Sequence, residues 1–197
     1  MKKRSQRVLL TLLVIGLVGA IAGFSTFSAF SSTTSNDGNS FSAGTVTLSD
    51  NDSNSAMYTV SNAKPGDSAT SCITVSYGGS LAANVKLYTA STIGSLGSHL
   101  TLTITQGTGT VSFGSACTNF TPDGSGAQIY NGTLSNFAAT YSNYASGLSL
   151  TNASASTTWS NGDSRVYKFQ ITLPSSDTTG SGLNTGSHSY TWEAQNA

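Results

Sequence analysis

The sequence is poor in charged residues, in histidine and in cysteine. Asp, Glu, Lys and Arg make up 8% of its 197 residues, and there are only two histidines and two cysteines. Four of the eight basic residues lie before residue 8, so the rest of the chain has four basic residues against eight acidic ones. A weakly acidic surface does not attract a phosphate backbone, so we expect no nucleic-acid partner.

Sequence motifs typical of enzymes are also missing. The two histidines, His99 and His188, lie in no HExxH or other paired metal-ligand spacing, and there is no GxSxG turn for a nucleophilic serine. The acidic stretch Asp50–Asn54 begins like a calcium loop, but Ser55 stands where such a loop needs glycine. We therefore expect a solvated acidic turn there, and we predict no catalytic residue, metal site or cofactor.

The one long hydrophobic run is short for a membrane span. Met1–Arg7 is basic, and Val8–Ala22 is almost purely aliphatic. As a helix this run would extend roughly 22 Å, less than the roughly 30 Å hydrocarbon core of a bilayer. The pattern predicts a secretory signal peptide and therefore an exported, extracellular protein. A longer helix that is retained as a membrane anchor is the alternative.

Apolar residues after the leader recur with the two-residue period of half-buried strands. Ile73, Val75 and Tyr77 alternate with polar residues, and threonine on the polar face favours a strand. The same alternation occurs in Leu100–Thr105, Val166–Leu173 and Tyr190–Ala194. With no internal repeat and enough length for one core, these strands predict a single all-β domain, an antiparallel β-sandwich.

Glycine-containing dipeptides and weak helical segments separate the predicted strands. Turns are predicted at Lys64–Asp67, Asn131-Gly132 and Asn161-Gly162. Helical periodicity is weak throughout, and only Ser91–His99 and Leu134–Tyr144 have room for a turn or two of helix.

The two cysteines are Cys72 and Cys117. In an exported protein an even number of cysteines predicts a disulfide. Cys72 lies on the strand face opposite Ile73 and Val75, so the bond would tie the outside of a strand to the loop Gly114–Phe120. A redox or metal-binding pair is the alternative, but the CxxC spacing typical of such pairs is absent.

The order of several short motifs along the chain resembles the TasA/camelysin family of exported bacterial proteins. These motifs are Ala29–Thr33, Phe41–Ser49, Lys64–Ser68, Gly79–Leu81, Tyr130–Leu134, Leu173-Pro174, Asp177 and Tyr190–Asn196. They extend over nearly the whole chain. Ser32 and Thr47 replace acidic residues of the family pattern, and Asp177–Gly182 replaces its DNxxQG loop.

The resemblance implies a jelly-roll-like sandwich and an architecture in two parts, the second of which begins with an arm. Residues 1–28 would be the signal peptide, residues 29–197 the single domain, and residues 29–41 a flexible N-terminal arm. For function it implies a subunit of extracellular biofilm-matrix or cell-surface fibres, assembled head to tail from copies of itself. A camelysin-like cell-surface metallopeptidase is one alternative. A carbohydrate-binding jelly roll, with matrix polysaccharide as partner, is another.

The N-terminal arm has the composition of a donated strand. Phe30 and Phe41 would be anchors for pockets on a neighbouring subunit, and Ser31–Asn39 would be a polar hinge between them. Val46–Ser49 alternates like the first strand of the chain's own sandwich. The arm therefore predicts assembly by strand donation.

Cleavage of the leader is predicted between Ser28 and Ala29. Ala20–Ala22 has the ordinary small-x-small pattern of a signal-peptide site, but the resemblance implies a dedicated signal peptidase that cuts after Thr26–Ser28. N-terminal sequencing of the exported protein should therefore begin at Ala29. A chain that begins at Gly23, or an uncleaved chain in the membrane fraction, would contradict this prediction.

Overall fold

The computed structural model of the chain describes residues 2–24, 42–114 and 116–197. The chain divides into two compact units, Met1–Ser42 and Ala43–Ala197. In the first unit, helix α1 spans Lys2–Phe24, and the side chains of residues 3–15 are exposed. Among the described residues, no helix combines the length and the apolar character that crossing a membrane requires.

In the second unit the described residues form ten strands, a short helix and a single 3-10 turn. The strands are β1 (Leu48–Asp50), β2 (Ser68–Tyr77), β3 (Ala83–Tyr88), β4 (Thr101–Thr108), β5 (Thr121–Pro122), β6 (Gln128–Thr133), β7 (Leu148–Ser149), β8 (Thr158–Trp159), β9 (Ser164–Thr172) and β10 (Thr191–Asn196). The 3-10 turn is Ser95–Ser98 and helix α2 is Leu134–Thr140, both inside the segments with predicted helical turns.

The strands form two antiparallel sheets. Sheet 1 has the order β1-β2-β9-β4-β5, with β6 also paired to β4. Sheet 2 has the order β10-β3-β7, with β8 also paired to β3. Along the described strands the chain passes from one sheet to the other five times: between β2 and β3, β3 and β4, β6 and β7, β8 and β9, and β9 and β10. The predicted all-β, jelly-roll-like sandwich, preceded by an N-terminal helix, is confirmed.

The alternating strands bury one face each in a shared core. On β2, Ile73, Val75 and Tyr77 are almost fully buried. Ile104 lies opposite Phe169 in the β4–β9 register, and both are fully buried. Leu87 of sheet 2 belongs to the same core cluster. Period-two patterning therefore predicts the strands correctly, because each strand has one apolar face to bury.

Two of the three predicted turns are present. At Lys64–Asp67, the Asp67 amide donates to the Lys64 carbonyl at 2.9 Å, and Gly66 has a φ of 96°. Gly162 has a φ of 90° between β8 and β9. Both glycines occupy the left-handed region, which a residue with a Cβ rarely adopts.

The prediction of a turn at Asn131-Gly132 is wrong. Both residues lie within β6, opposite Thr103 and Leu102 of β4. A Cβ on Gly132 would lie 2.7 Å from the Tyr130 hydroxyl oxygen, and that hydroxyl donates to the Thr133 carbonyl at 2.8 Å. The missing Cβ leaves room for the Tyr130 hydroxyl beside the strand, and the glycine does not form a turn.

Candidate functional site

A largely apolar cavity of about 470 Å³ lies between the two sheets. Ile73 of β2 and Leu173 beside β9 line it from sheet 1, and Trp192 of β10 lines it from sheet 2. Residues 55–60 and the loop 185–190 complete its walls. Because β2 and β10 lie toward the ends of their sheets, the cavity occupies one lateral side of the sandwich. We call it the edge cavity.

The segment that borders the edge cavity is irregular. Within residues 56–63 no main-chain group makes a hydrogen bond to any described residue, and no strand is formed. Val60 is 50% exposed. The segment therefore lies beside two sheets without pairing to either, and little main-chain energy opposes its displacement.

One side chain of this segment is nevertheless well anchored. The Tyr58 hydroxyl lies 2.8 Å from His188 Nε2 and 2.8 Å from the Tyr190 hydroxyl. Burial raises the pKa of Tyr58 to about 12, and it raises the pKa of Tyr190 well above its ordinary value. Both phenols are therefore neutral at physiological pH, and their hydroxyls hold residue 58 over the edge cavity by hydrogen bonds.

Strand β2 has a free main-chain edge beside the same cavity. Alternate residues of β2 direct their main-chain groups away from β9: Cys72 exchanges hydrogen bonds with Gly114, and the Thr74 amide donates to the Asn51 side chain. The next two residues in this row are Thr70 and Ser68. Their edge-facing amide and carbonyl groups have no main-chain partner among the described residues. Such an edge can accept another strand.

The second edge belongs to sheet 2. Strand β10 pairs with β3 along one side, and no described strand pairs with its other side. Trp192 lies in β10, and its indole nitrogen is buried without a hydrogen-bond partner among the described residues. The edge cavity is therefore flanked by an unpaired strand edge in each sheet.

His99 belongs to a different group of side chains. Its Nδ1 lies 2.6 Å from a carboxylate oxygen of Asp177. The Gly180 amide and then His99 lower the pKa of the Asp177 carboxyl, since both bind its ionised form. Asp177 also accepts from the Thr179 amide at 3.0 Å, so it organises the loop after β9.

These residues do not fit a metal centre. Among the residues that the structure describes, no three His, Cys, Asp or Glu side chains lie together as ligands. One Asp177 oxygen binds His99, and the other binds two backbone amides, so the donor set is used within the loop.

The acidic stretch Asp50–Asn54 is a turn held by its own side chains. An Asp50 carboxylate oxygen accepts from the Asp52 amide at 3.1 Å, and an Asp52 oxygen accepts from the Asn54 amide at 2.6 Å. Burial, followed by the contacts with Asp52, raises the pKa of Asp50, although the Asp52 amide opposes this shift. The side-chain amide nitrogen of Asn51 (Nδ2) donates to the Val111 carbonyl at 3.2 Å. The turn thus connects β1 to the loop before β5.

Cys72 and Cys117 form a disulfide with a Cα–Cα distance of 5.3 Å. The bond lies on the outer face of sheet 1, where Cys72 is fully buried. There it packs in a small cluster with Val111 and Val166, and Phe120 packs against the cluster. A covered outer face explains why Cys72, opposite Ile73 on its strand, is as buried as the core.

The other predicted site residues have no described structure. Ser28, Ala29, Phe30 and Phe41 all lie outside the described residues, so the cleavage site and the strand-donation anchors stay predictions. Neither the edge cavity nor the role of Tyr58 follows from the residue pattern of the sequence. The only signal was the apolar pair Met57-Tyr58 in an otherwise polar segment.

Comparison with known protein families gives a match that includes the N-terminal half of the chain. The model of the family described as camelysin metallo-endopeptidase matches residues 1–101, about half of the chain. This range includes α1, strands β1 to β3 and residues 56–63. A comparison with curated proteins gave no match. The order of motifs along the sequence and the family match agree, and the chain belongs to the camelysin metallo-endopeptidase family.

Proposed function

We propose that this protein is an exported structural subunit of extracellular matrix or cell-surface fibres, and that it assembles by donation of its N-terminal segment. The family match supports a camelysin-like protein of the cell surface. In this proposal residues 1–28 are removed, residues 29–197 form the subunit, and residues 29–41 bind to the next copy.

The edge cavity carries the proposal. A donated strand needs main-chain groups to pair with and an apolar space for its side chains. Ser68 and Thr70 offer the first, and the cavity of about 470 Å³ between Ile73, Leu173 and Trp192 offers the second. Residues 56–63 border this space without main-chain hydrogen bonds to described residues, so an incoming strand that displaces them has to break the Tyr58 side-chain hydrogen bonds but no main-chain pairing.

For the donated strand, the support comes from the sequence of the N-terminal arm. Phe30 and Phe41 are the large apolar residues at the two ends of the arm, and each can bury an aromatic ring in the cavity of the neighbour. A head-to-tail contact of this kind does not close on itself, and it therefore produces filaments rather than dimers.

Negative-stain microscopy tests the proposed function directly. The chain with residues 1–28 removed should form filaments of uniform width, and the same chain with its leader retained should not. A processed chain that stays monomeric at high concentration, in buffers that keep it folded, would contradict the proposal.

The acceptor edge can be blocked by one substitution. Thr70→Pro removes an amide hydrogen that faces the free edge, while the pairing of β2 with β9 uses the neighbouring residues. We expect the variant to stay folded and filament growth to slow by about tenfold or more, the effect of losing one to two hydrogen bonds. Growth is measured by light scattering.

Thr70→Val is the matched control, because it changes the same side chain and keeps the amide hydrogen. It should polymerise at the rate of the unmodified protein. If the folded Thr70→Pro variant also does so, the donated strand does not pair with β2, and β10 becomes the acceptor edge to test.

Peptidase activity is the second candidate function, and the description of the family favours it. Casein cleavage that is abolished by a chelator and by His99→Ala or His188→Ala would support it. Cleavage that survives all three treatments would assign the activity to a contaminant. Filament formation is measured on the same samples, so the two functions are tested independently.

A further inference from the structure

The outer face of sheet 2 carries a polar groove of about 440 Å³. Asn84 and Lys86 of β3 form its floor with Gln195 of β10, and the loops before β7 and β8 form its sides. Its polar lining residues include Asn84, Lys86, Tyr144, Ser149, Thr157 and Gln195. The volume lies within the roughly 300–1,000 Å³ range of ligand sites. We call this feature the outer groove, and it lies on a different surface from the edge cavity.

Several hydrogen-bonding groups of the outer groove are unused by the protein. The side chains of Asn84, Ser149, Thr157 and Asn196 make no hydrogen bond to any described residue. The two amides supply donors and acceptors, and the two hydroxyls can act as either. This mixture suits a ligand whose own groups both donate and accept, as sugar hydroxyls do.

A carboxylate is held in position beside the groove. Glu193 accepts from the Gln195 amide nitrogen at 2.8 Å and from the Tyr88 hydroxyl at 2.7 Å. These two hydrogen bonds lower the pKa of Glu193, so it is ionised at neutral pH. Its positive counterpart, Lys86, is a neighbour across the strand pair, in register with Glu193. The face as a whole is therefore close to neutral.

One wall of the groove is aromatic and fixed. The Tyr144 hydroxyl donates to the Asn84 carbonyl at 3.1 Å, and Lys86 Nζ lies 4.9 Å from the centre of the tyrosine ring. The same Nζ donates to the Ala145 carbonyl at 3.4 Å. A ring held in this way loses little side-chain entropy when a ligand contacts it.

These features distinguish between classes of partner. Strand β3, which forms the floor together with β10, is paired on both sides, and the unpaired edge of β10 flanks the edge cavity, so the groove itself offers no main-chain edge to a peptide strand. The balanced charge of Lys86 and Glu193 does not select a polyanion such as nucleic acid. From the unused amides and hydroxyls beside a fixed ring, we infer that the outer groove binds a neutral, hydroxyl-rich polysaccharide.

Affinity electrophoresis in native gels tests this inference on the folded protein purified from an exporting host. The probes are dextran, a soluble β-1,3-glucan, galactomannan and hydroxyethylcellulose, with alginate as the acidic comparison. At least one neutral polymer should retard the protein. The double variant Asn84→Ala/Gln195→Ala should weaken that retardation by about tenfold, as expected for two lost hydrogen bonds.

The matched control is Gln128→Ala/Asn131→Ala, which removes the same two kinds of amide from exposed positions on β6 of sheet 1. Thr157→Arg is a second test, because it places a large charged side chain in the exposed wall of the groove. Retardation by none of the neutral polymers, retardation by alginate alone, or equal loss in the control would overturn the inference.

Discussion

Deleting residues 29–39 from the processed chain should abolish filament formation and leave a folded monomer. The deletion removes Phe30 and the polar hinge, but it leaves all ten strands of the described sandwich intact. Circular dichroism should therefore be unchanged, while size exclusion and negative-stain microscopy show monomers where the full processed chain gives filaments. A truncated chain that is folded and polymerises as fast as the full one would refute strand donation.

A synthetic peptide of residues 29–41 provides the matched experiment. If it fills the edge cavity as a donated strand does, it should cap growing ends and slow the polymerisation of the full processed chain in a dose-dependent way. The same peptide with Phe30→Ser and Phe41→Ser keeps its length and loses both apolar anchors, so it should not slow growth. Equal inhibition by both peptides would point to a non-specific effect.

Removing the disulfide should have the largest effect on stability. The bond between Cys72 and Cys117 closes a loop of 45 residues. In the chain-entropy treatment, a loop of this length stabilises the folded state by about 4 kcal/mol. Cys72→Ala/Cys117→Ala should therefore lower the Tm by roughly 10 °C, given the usual dependence of Tm on stability in a domain of this size.

Controls separate the bond from the side chains. The double variant should melt at the same temperature with and without reductant. The unmodified protein, after it has been unfolded, reduced and refolded, should melt at a temperature close to that of the variant. Alkylation without reduction should label neither cysteine in the unmodified protein. Labelling of both, together with an unchanged melt in reductant, would show that the protein does not carry the bond.

The strands were predictable because their cause, the alternation of apolar and polar residues, is local and visible in the sequence. In β2 and β9, apolar and polar residues alternate, and the apolar face of each is buried in the core. The turn prediction at Asn131-Gly132 failed for a reason that is not local. Pairing with Leu102 and Thr103 of β4 holds the dipeptide in a strand, and tertiary pairing overrides its turn preference.

The candidate site was not predictable in the same way. Tyr58 meets His188 and Tyr190 across about 130 residues of chain, and no periodicity in the sequence relates them. The outer groove likewise depends on which loops flank β3, and the sequence leaves that open. Cys72 is buried on the outer side of its strand because Val111, Gly114 and Phe120 from the chain after β4 lie beside it, and the alternation within β2 does not indicate these contacts.

The shortest strands limit the unintended strand pairing of this protein with other chains. Strands β5, β7 and β8 have two residues each, and the β4–β6 pairing contains an irregular register between Ile104 and Thr105. Short or irregular edges give a foreign strand few groups to align with, which protects a β-rich protein from amyloid-like aggregation. For the proposed growth by strand donation this protection would be required, because a filament whose other edges were equally receptive would branch and precipitate.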